Sequence, residues 1–575
     1  MASLVSAGVS VSVSDESFFI PAAASTVPLF FIATADEKKR PDGLTDAAGT
    51  FESNVVRTVT SLKQSTELYG VPRFLEDSAG NQLHGDARNE YGVFALNQFL
   101  GVGDLAYVVR ANVNLNDNLA DIRAMWDVKM QEAAYVLENV VNAYLNEYNL
   151  SNGFIPSNPG YKTTVTRTQL SSLVNTATAT VWEMFSFRNS QSSFTTDVTS
   201  SPLNVFADGY NNPPTGTYVG FNGLTAYWES SGLGSVVANS WTAQEAANTL
   251  LGAADSFKLT IPFLNQTSLG ANDAARRVAV VTALQAAINS NTDIRAETYE
   301  YNLVLCPGFH EVVDEMLNLV VDIQEEAFVI ADTPLDKDPD AVVTWAGTSA
   351  RRSSRNVAYY YPHGLASNLD GKNVMVAASG IALRTFAYSD ESAELWFAPA
   401  GTRRGLVSGV DMVGYVQGTL GTATEFTEVA LNLGQRNNLY KYFTNINPIV
   451  FFPGRGIIVW GQKTSAPDAS AMDRVNVVRL IAYIRRQLRK NTMSFVFEPN
   501  DQLTRDNIKA AVDSFLGDLI VKRGLQDFAT LCDESNNTPD RIDRNELYVD
   551  IALKPMRAAE FIYIPIRVVA TSAQI

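Results

Sequence analysis

Hydrophobic positions along the chain follow two rhythms. At the amino end Val9, Val11 and Val13 alternate with Ser10, Ser12 and Ser14. This strict period of two predicts a β-strand with one face to bury. Such a strand cannot satisfy its own backbone groups, so it must pair with a sheet, its own or another's. Leu29-Phe30-Phe31-Ile32-Ala33 predicts a buried strand. The uncharged stretch Phe18 to Ala35 around it has the length of a membrane span, but Pro21 and Pro28 interrupt it and Ser25 and Thr26 sit near its centre. Glu90 to Leu100 suits a helix, with a Gly-rich turn at Gly101 and Gly103, and Tyr107 to Arg110 a strand. Ile122, Trp126, Met130, Ala133, Leu137, Val141 and Leu145 then recur at spacings of three and four. They predict a long amphipathic helix ending at Asn149, whose stripe is a packing face, with Asn116 or Asp117 as its cap.

Between about Ser151 and Thr292 the composition shifts to Ser, Thr, Asn and Gly, with Pro213-Pro214 among short apolar runs and a helical patch near Ala274 to Ile288. This reads as an inserted, solvated region with β-rich and helical parts. An α/β rhythm resumes with a buried strand at Asn302 to Cys306, a helix from about His310 to Glu325, and a strand at Ala327 to Ala331, the signature of a crossover unit. The flanking segments 21–112 and 296–460 therefore form one α/β domain interrupted by the insertion. Further on, Val475 to Lys490 reads as a helix with a basic far end: Arg485, Arg486, Arg489 and Lys490. Phe495 to Asp501 reads as a short strand and turn, and Ile508, Val512, Phe515, Leu516 and Leu519 as a second amphipathic helix ending near Gly524. Leu547, Val549, Ile551 and Leu553 alternate as a strand. Ile562, Ile564, Ile566 and Val568 do the same, with Pro565 on the opposite parity, so this last strand has an edge without ladder donors.

Composition narrows the function classes. The 575 residues carry 44 basic and 61 acidic side chains, a formal charge of −17, which argues against general nucleic-acid binding because phosphate contacts need a basic surface. The 46% hydrophobic content and 18% charged content argue for a folded chain of more than one domain. Cys306 and Cys532 are too few for a disulfide framework and fit a reducing compartment. The first lysine is Lys38, so the amino end lacks the basic region of a secretory signal, and the chain reads as soluble.

Chemical motifs fail on inspection. Gly456 to Thr464 comes near a phosphate-binding loop, but Gln462 intrudes between the second glycine and the lysine. Its intervening residues are bulky and apolar where backbone amides should curl around phosphate, so a strand is the better reading. Gly364 to Asn373 has the wrong spacing and lacks the hydroxyl residue for Mg²⁺. His310-Glu311-Val312-Val313-Asp314 puts an aspartate where a helical zinc site needs its second imidazole. With three histidines in all, no Gly-x-Ser-x-Gly elbow and Cys306 inside a buried strand, the sequence offers no catalytic, cofactor or metal residues, and the chain is expected not to be an enzyme.

Several runs, in order along the chain, resemble contractile-tail bacteriophage (myovirus) tail sheath proteins. They are Tyr360-Tyr361-Pro362, Ala378-Ser379-Gly380, Trp396 to Ala400, Gly456 to Thr464, Asn476 to Ile484, Phe497-Glu498-Pro499-Asn500-Asp501, Cys532 to Pro539, and Ala558-Ala559-Glu560-Phe561-Ile562. Residues 113–295 carry little of it, and Ala7-Gly8-Val9 stands where the family often has Pro-Gly-Val.

The resemblance implies an α+β and α/β multidomain chain in which strands exchanged from terminal arms complete a C-terminal α+β domain. The expected divisions are an N-terminal arm 1–20, a central α/β domain 21–112 and 296–460, an inserted polar domain 113–295, a C-terminal sheath domain 461–560 and a C-terminal arm 561–575. It implies a virion structural protein, assembled in the host cytoplasm, that polymerises as a helical sheath of stacked hexameric rings around a tail tube and contracts to drive the tube through the host envelope. Tail tube, baseplate and tail terminator proteins would be its partners; cofactors, nucleic acid and membrane insertion are not expected. Val9, Val11 and Val13 at one end, and Ile562, Ile564, Ile566 and Val568 at the other, would be the exchanged strands. Arg485, Arg486, Arg489 and Lys490 are candidates for gripping an acidic tube surface, against the plainer reading of a solvated helix end complementing its own dipole. Competing classes are a virion surface protein binding host envelope or glycans through the insertion, and a hydrolase with an unrecognised site.

Overall fold

The computed structural model of the chain describes residues 26–36, 38–115 and 273–561. The strands in chain order are β1 (Pro28–Thr34), β2 (Val56–Val59), β3 (Ala106–Asn114), β4 (Leu303–Leu305), β5 (Phe328–Asp332), β6 (Val357–Tyr361) and β7 (His363–Ser367). They continue as β8 (Asn373–Val376), β9 (Met412–Gln417), β10 (Glu425–Glu428), β11 (Ile446–Phe452), β12 (Gly456–Val459), β13 (Leu525–Leu531) and β14 (Asp550–Pro555). The helices that matter below are α1 (Tyr91–Phe99), α2 (Asp273–Ser290), α3 (Val313–Asp322), α4 (Ala378–Ser392), α5 (Val475–Thr492) and α6 (Gln502–Val521).

An eight-stranded sheet forms the centre, in the order β12-β11-β6-β5-β4-β1-β3-β2. Its interior strands pair in parallel, and antiparallel β12 and β2 close its two edges. Register is set at Phe30, opposite Val108 of β3 on one side and Leu305 of β4 on the other. Every residue of β1 is buried, as expected of a parallel strand covered on both faces. Strand β1 thus joins a segment before residue 115 to one after residue 302, so chain far apart in sequence shares one sheet.

The two faces carry separate cores. Leu29, Phe31 and Ala33 share one with Val280, Leu284 and Ile288 of α2 and with Met316, Leu319 and Val320 of α3. Phe30 and Ile32 share the other with Val93, Leu96 and Phe99 of α1, Ile381 and Phe386 of α4, and Val475 and Val478 of α5. Each such side chain contributes roughly 1.5–3 kcal/mol on burial. Helix α1 lies so close to β1 that a Cβ at Gly92 would come within 2.6 Å of Ile32 Cγ2, which makes glycine a packing requirement there.

Two expectations are corrected. The insertion assigned to 113–295 loses both its ends. Asn114 still pairs with Thr34 inside the sheet, and α2 is a core helix whose Val280, Leu284, Ala287 and Ile288 are wholly buried. The polar composition of the region around α2 masked an apolar stripe that the sheet face buries. Phe495 to Phe497 is not a strand. Met493–Phe495 is a 3₁₀ turn, Phe497 has φ +73° and is fully exposed, and the local amides bond within the turn, Val496 N to Met493 O at 3.3 Å and Glu498 N to Phe495 O at 3.2 Å. The long helix expected from residue 116 to Asn149 lies outside the described residues.

A second, antiparallel sheet runs β10-β9-β7-β8, and a third consists of β13 and β14 alone. The third sheet, α5 and α6 surround a smaller core of Leu395, Trp396, Leu480, Ile484, Ile508, Val512, Leu516, Leu519 and Leu525. The chain is therefore a mixed α/β protein with several sheets.

Candidate assembly interface

A parallel sheet of this kind offers a natural ligand position beyond the carboxyl ends of its strands. Here that position is filled. Asp332, at the end of β5, accepts from the Ser379 amide at 2.6 Å, the Ser379 hydroxyl at 2.8 Å and the Gly308 amide at 2.8 Å. Its carboxylate caps the amino end of α4, where a bound anion would otherwise sit. Asp332, Ser379, His363 and Cys306 are all buried there, and burial pushes the Cys306 thiol up, away from the reactive thiolate. His310 packs edge-on against the Trp345 ring with its side chain 17% exposed, and desolvation keeps the imidazole neutral beside Glu311, so the failed zinc motif is a packing position. Among the described residues, no three His, Cys, Asp or Glu side chains cluster as a metal site would require, and no helix is long and apolar enough to cross a membrane.

Among the described residues, the β13–β14 sheet is the smallest of the three, with two strands. Its strands pair antiparallel, Phe528 opposite Leu553 and Thr530 opposite Ile551. Among the described residues neither outer edge has a partner strand. Two strands alone are marginal, and unpaired edges are templates for another chain. The far end of the pair is held by side chains. Asn536 Nδ2 donates to Leu531 O at 2.9 Å and Tyr548 O at 3.1 Å, and Asn537 exchanges bonds with the Tyr548 backbone at 2.9 and 2.7 Å. The run Cys532 to Pro539 therefore has a local structural role, in which its two asparagines close the β13–β14 connection. Along β14, Ile551 and Leu553 are half-buried over α6 while Asp550, Ala552 and Lys554 face out. Beside this sheet a groove of about 980 Å³ runs between Leu488, Phe495, Ile508, Val512, Val549 and Ile551. The strand residues expected to pair there, Val9, Val11, Val13, Ile562, Ile564, Ile566 and Val568, lie outside the described residues.

The basic end of α5 is occupied within the chain. Arg486 donates to the carbonyls of Tyr301 and Glu326, both at 2.7 Å. Arg485 meets Glu325 at 2.9 Å, Arg489 meets Glu326 at 2.9 Å, and Lys490 meets Glu300 at 2.6 Å. These acceptors lie on the segments that lead into β4 and β5, so the four cations pin α5 to the central domain. The Arg486 side chain is 12% exposed, whereas Arg485, Arg489 and Lys490 keep 36%, 40% and 43%.

Sequence reasoning did not single out the contacts that hold the segments just before β1 and just after β14. Thr26 bonds through its hydroxyl to Asp390, which is also paired with Arg479. Glu560 accepts from Arg474 Nε at 2.6 Å, Tyr440 OH at 3.1 Å and Gln462 Nε2 at 3.2 Å. The only signal was that Glu560 stood inside the Ala558 to Ile562 run; its partners are 86 to 120 residues away.

Comparisons with known proteins show what the chain is similar to. Residues 468–569 match the family described as phage tail sheath C-terminal domain. The chain is 28% identical over 366 residues to the tail sheath protein of Vibrio phage KVP40, covering 61% of this chain and 50% of that one. It is 26% identical over 372 residues to the tail sheath protein of Enterobacteria phage T4, covering 64% and 50%. The chain thus spans about half the length of these curated relatives. Among solved structures, the helical sheath of the anti-feeding prophage in its contracted state shares the fold, with a TM-score of 0.50, 15% identity and 99% of both chains covered. The chain is thus similar to phage tail sheath proteins over about six-tenths of its length, and its C-terminal segment matches their C-terminal domain.

Proposed function

We propose that this chain is a sheath subunit that polymerises through strand exchange at the β13–β14 sheet. The observation that carries the reading is that sheet, unpaired on both outer edges among the described residues and lying within the segment that matches the sheath C-terminal domain. The alternating chain ends, Val9 to Val13 and Ile562 to Val568, have the pattern an added strand needs: main-chain bonds for affinity and a buried alternate face for register. Each added hydrogen bond is worth about 1 kcal/mol net, so one strand makes a moderate contact. Repetition through a lattice makes such contacts collectively strong.

In this reading the subunits stack as hexameric rings around a tail tube in the virion, having assembled in the host cytoplasm, with baseplate and tail terminator proteins at the two ends. Contraction to a wider, shorter lattice drives the tube through the envelope while the arms stay paired and the bodies rotate. The central sheet and C-terminal domain form the body, and the insertion lies between β3 and α2. Tube contact is proposed for Arg485, Arg489 and Lys490, which keep open surface, and not for Arg486.

Electron microscopy of the purified chain tests the proposal: it should form hollow helical tubes. Deleting residues 1–14 should abolish them while leaving the thermal unfolding of the monomer unchanged. Ordered tubes from the truncated chain would refute the exchange role of the N-terminal strand.

A further inference from the structure

Thr26, just before β1, and Glu560, just after β14, are both tied to the start of the same helix. Arg474 immediately precedes α5, and Arg479 lies five residues further on. Through Glu560, Arg474 holds the last described segment of the chain, and Tyr440 and Gln462 complete the cradle around that carboxylate. Through Asp390 on α4, Arg479 holds the hydroxyl of Thr26, and the Val27 N–H beside it donates to Asn302 Oδ1 at 2.9 Å. Arg479 and Asp390 are each 3% exposed, so this fastening is inside the protein.

The positions of these fastenings relative to the strands matter. Glu560 lies five residues beyond the end of β14, and Thr26 two residues before β1. Force applied to a chain end without a fastening would reach the nearest strand first. At the carboxyl side that strand is β14, half of a two-stranded sheet whose bonds would open one after another. With Glu560 in its cradle, the same force meets α5 and the central domain before it reaches β14.

We infer that the start of α5 is a shared anchor for both terminal arms, Arg474 securing the C-terminal one through Glu560 and Arg479 the N-terminal one through Asp390 and Thr26, so that load passes between arms through one helix without peeling β14 or β1. This rests on the proposed arm exchange, and the experiment separates the two.

Hydrogen exchange on the full-length, unassembled chain reads the fastenings without any assembly. Glu560→Ala should raise exchange at least tenfold across residues 550–561 and leave residues 27–34 unchanged; Thr26→Val should do the reverse. Glu560→Asp, which keeps the charge, should fall between wild type and Glu560→Ala. Unchanged exchange in Glu560→Ala would overturn the anchor even if tubes form. On assembled tubes, Glu560→Ala should increase breakage under hydrodynamic shear at least threefold. Wild-type shear resistance together with raised exchange would also overturn it, since the fastening would then bear no load. If the wild-type chain forms no tubes, the arm-exchange reading fails, and with it load transfer between arms. The exchange result would still decide the fastenings.

Discussion

Arg479 donates to both carboxylate oxygens of Asp390, and its guanidinium also lies over the Phe386 ring, 4.9 Å from the centroid. The pair joins α5 to α4 out of reach of water. Asp390→Ala strands a buried cation and should cost about 3–5 kcal/mol in urea denaturation. The double change Arg479→Met with Asp390→Leu should recover most of that loss, because two apolar side chains leave no charge unpaired. A double variant no more stable than Asp390→Ala would contradict this account.

The clamp at the other end of α5 should be uneven. Arg486 is the deeply placed member, bonded to two carbonyls, while Lys490 and Glu300 are both about half exposed. Arg486→Ala should lower stability by roughly 2–3 kcal/mol, as expected for hydrogen bonds from a charged group. Lys490→Ala should cost under about 0.5 kcal/mol and become neutral at high salt. Thermal unfolding at two ionic strengths measures both.

Helix α2 belongs to the central core, so its two faces should respond differently. Leu284 is wholly buried and Val278 is 66% exposed. Leu284→Ala should cost about 2–5 kcal/mol and Val278→Ala less than about 0.5. Equal, small effects in chemical denaturation would place this helix outside the core.

Acid should weaken the fold before most carboxylates titrate. His84, His310 and His363 are the chain's three histidines, and burial lowers the pKa of each, that of His310 to about 4. The unfolded chain takes up these protons near pH 6.5 and the folded chain resists them. Stability from this source is therefore complete above about pH 6.5 and is lost as pH falls toward 4. His310 alone should account for on the order of 2 kcal/mol of loss by pH 5. Unfolding temperatures from pH 7.5 to 5 should fall for the wild type and fall less for His310→Gln.

Legibility followed the range of the interaction. The buried strand at Leu29 to Ala33, the strand at Ala327 to Ala331 and the amphipathic helices from Val475 and around Ile508 were readable because periodicity and apolar runs are local properties. The turn at Phe495 to Phe497 was misread because apolar, β-prone residues lie there without a neighbouring strand to pair with. Helix α2 was placed at the periphery because the composition around it is polar, although its own stripe of Val280, Ala283, Leu284, Ala287 and Ile288 faces the sheet. At the candidate interface, the alternating ends lie outside the described residues, and the asparagine contacts within the Cys532 to Pro539 run that close β13 onto β14 were not legible.

By itself the sequence determined where many of the described strands and helices lie, that charge and cysteine content leave little room for nucleic-acid binding or a disulfide scaffold, and that the last hundred residues resemble a sheath domain. Tertiary structure decided what depends on partners far apart in the chain. It inserted β1 between β3 and β4, turned the basic end of α5 inward onto the β4 and β5 connections, and brought Arg474 to Glu560 and Arg479 to Asp390. A local pattern records the burial of one face because neighbouring side chains share it. A salt bridge between residues 86 or 89 positions apart leaves no such periodic trace, since it depends on where folding brings two surfaces together.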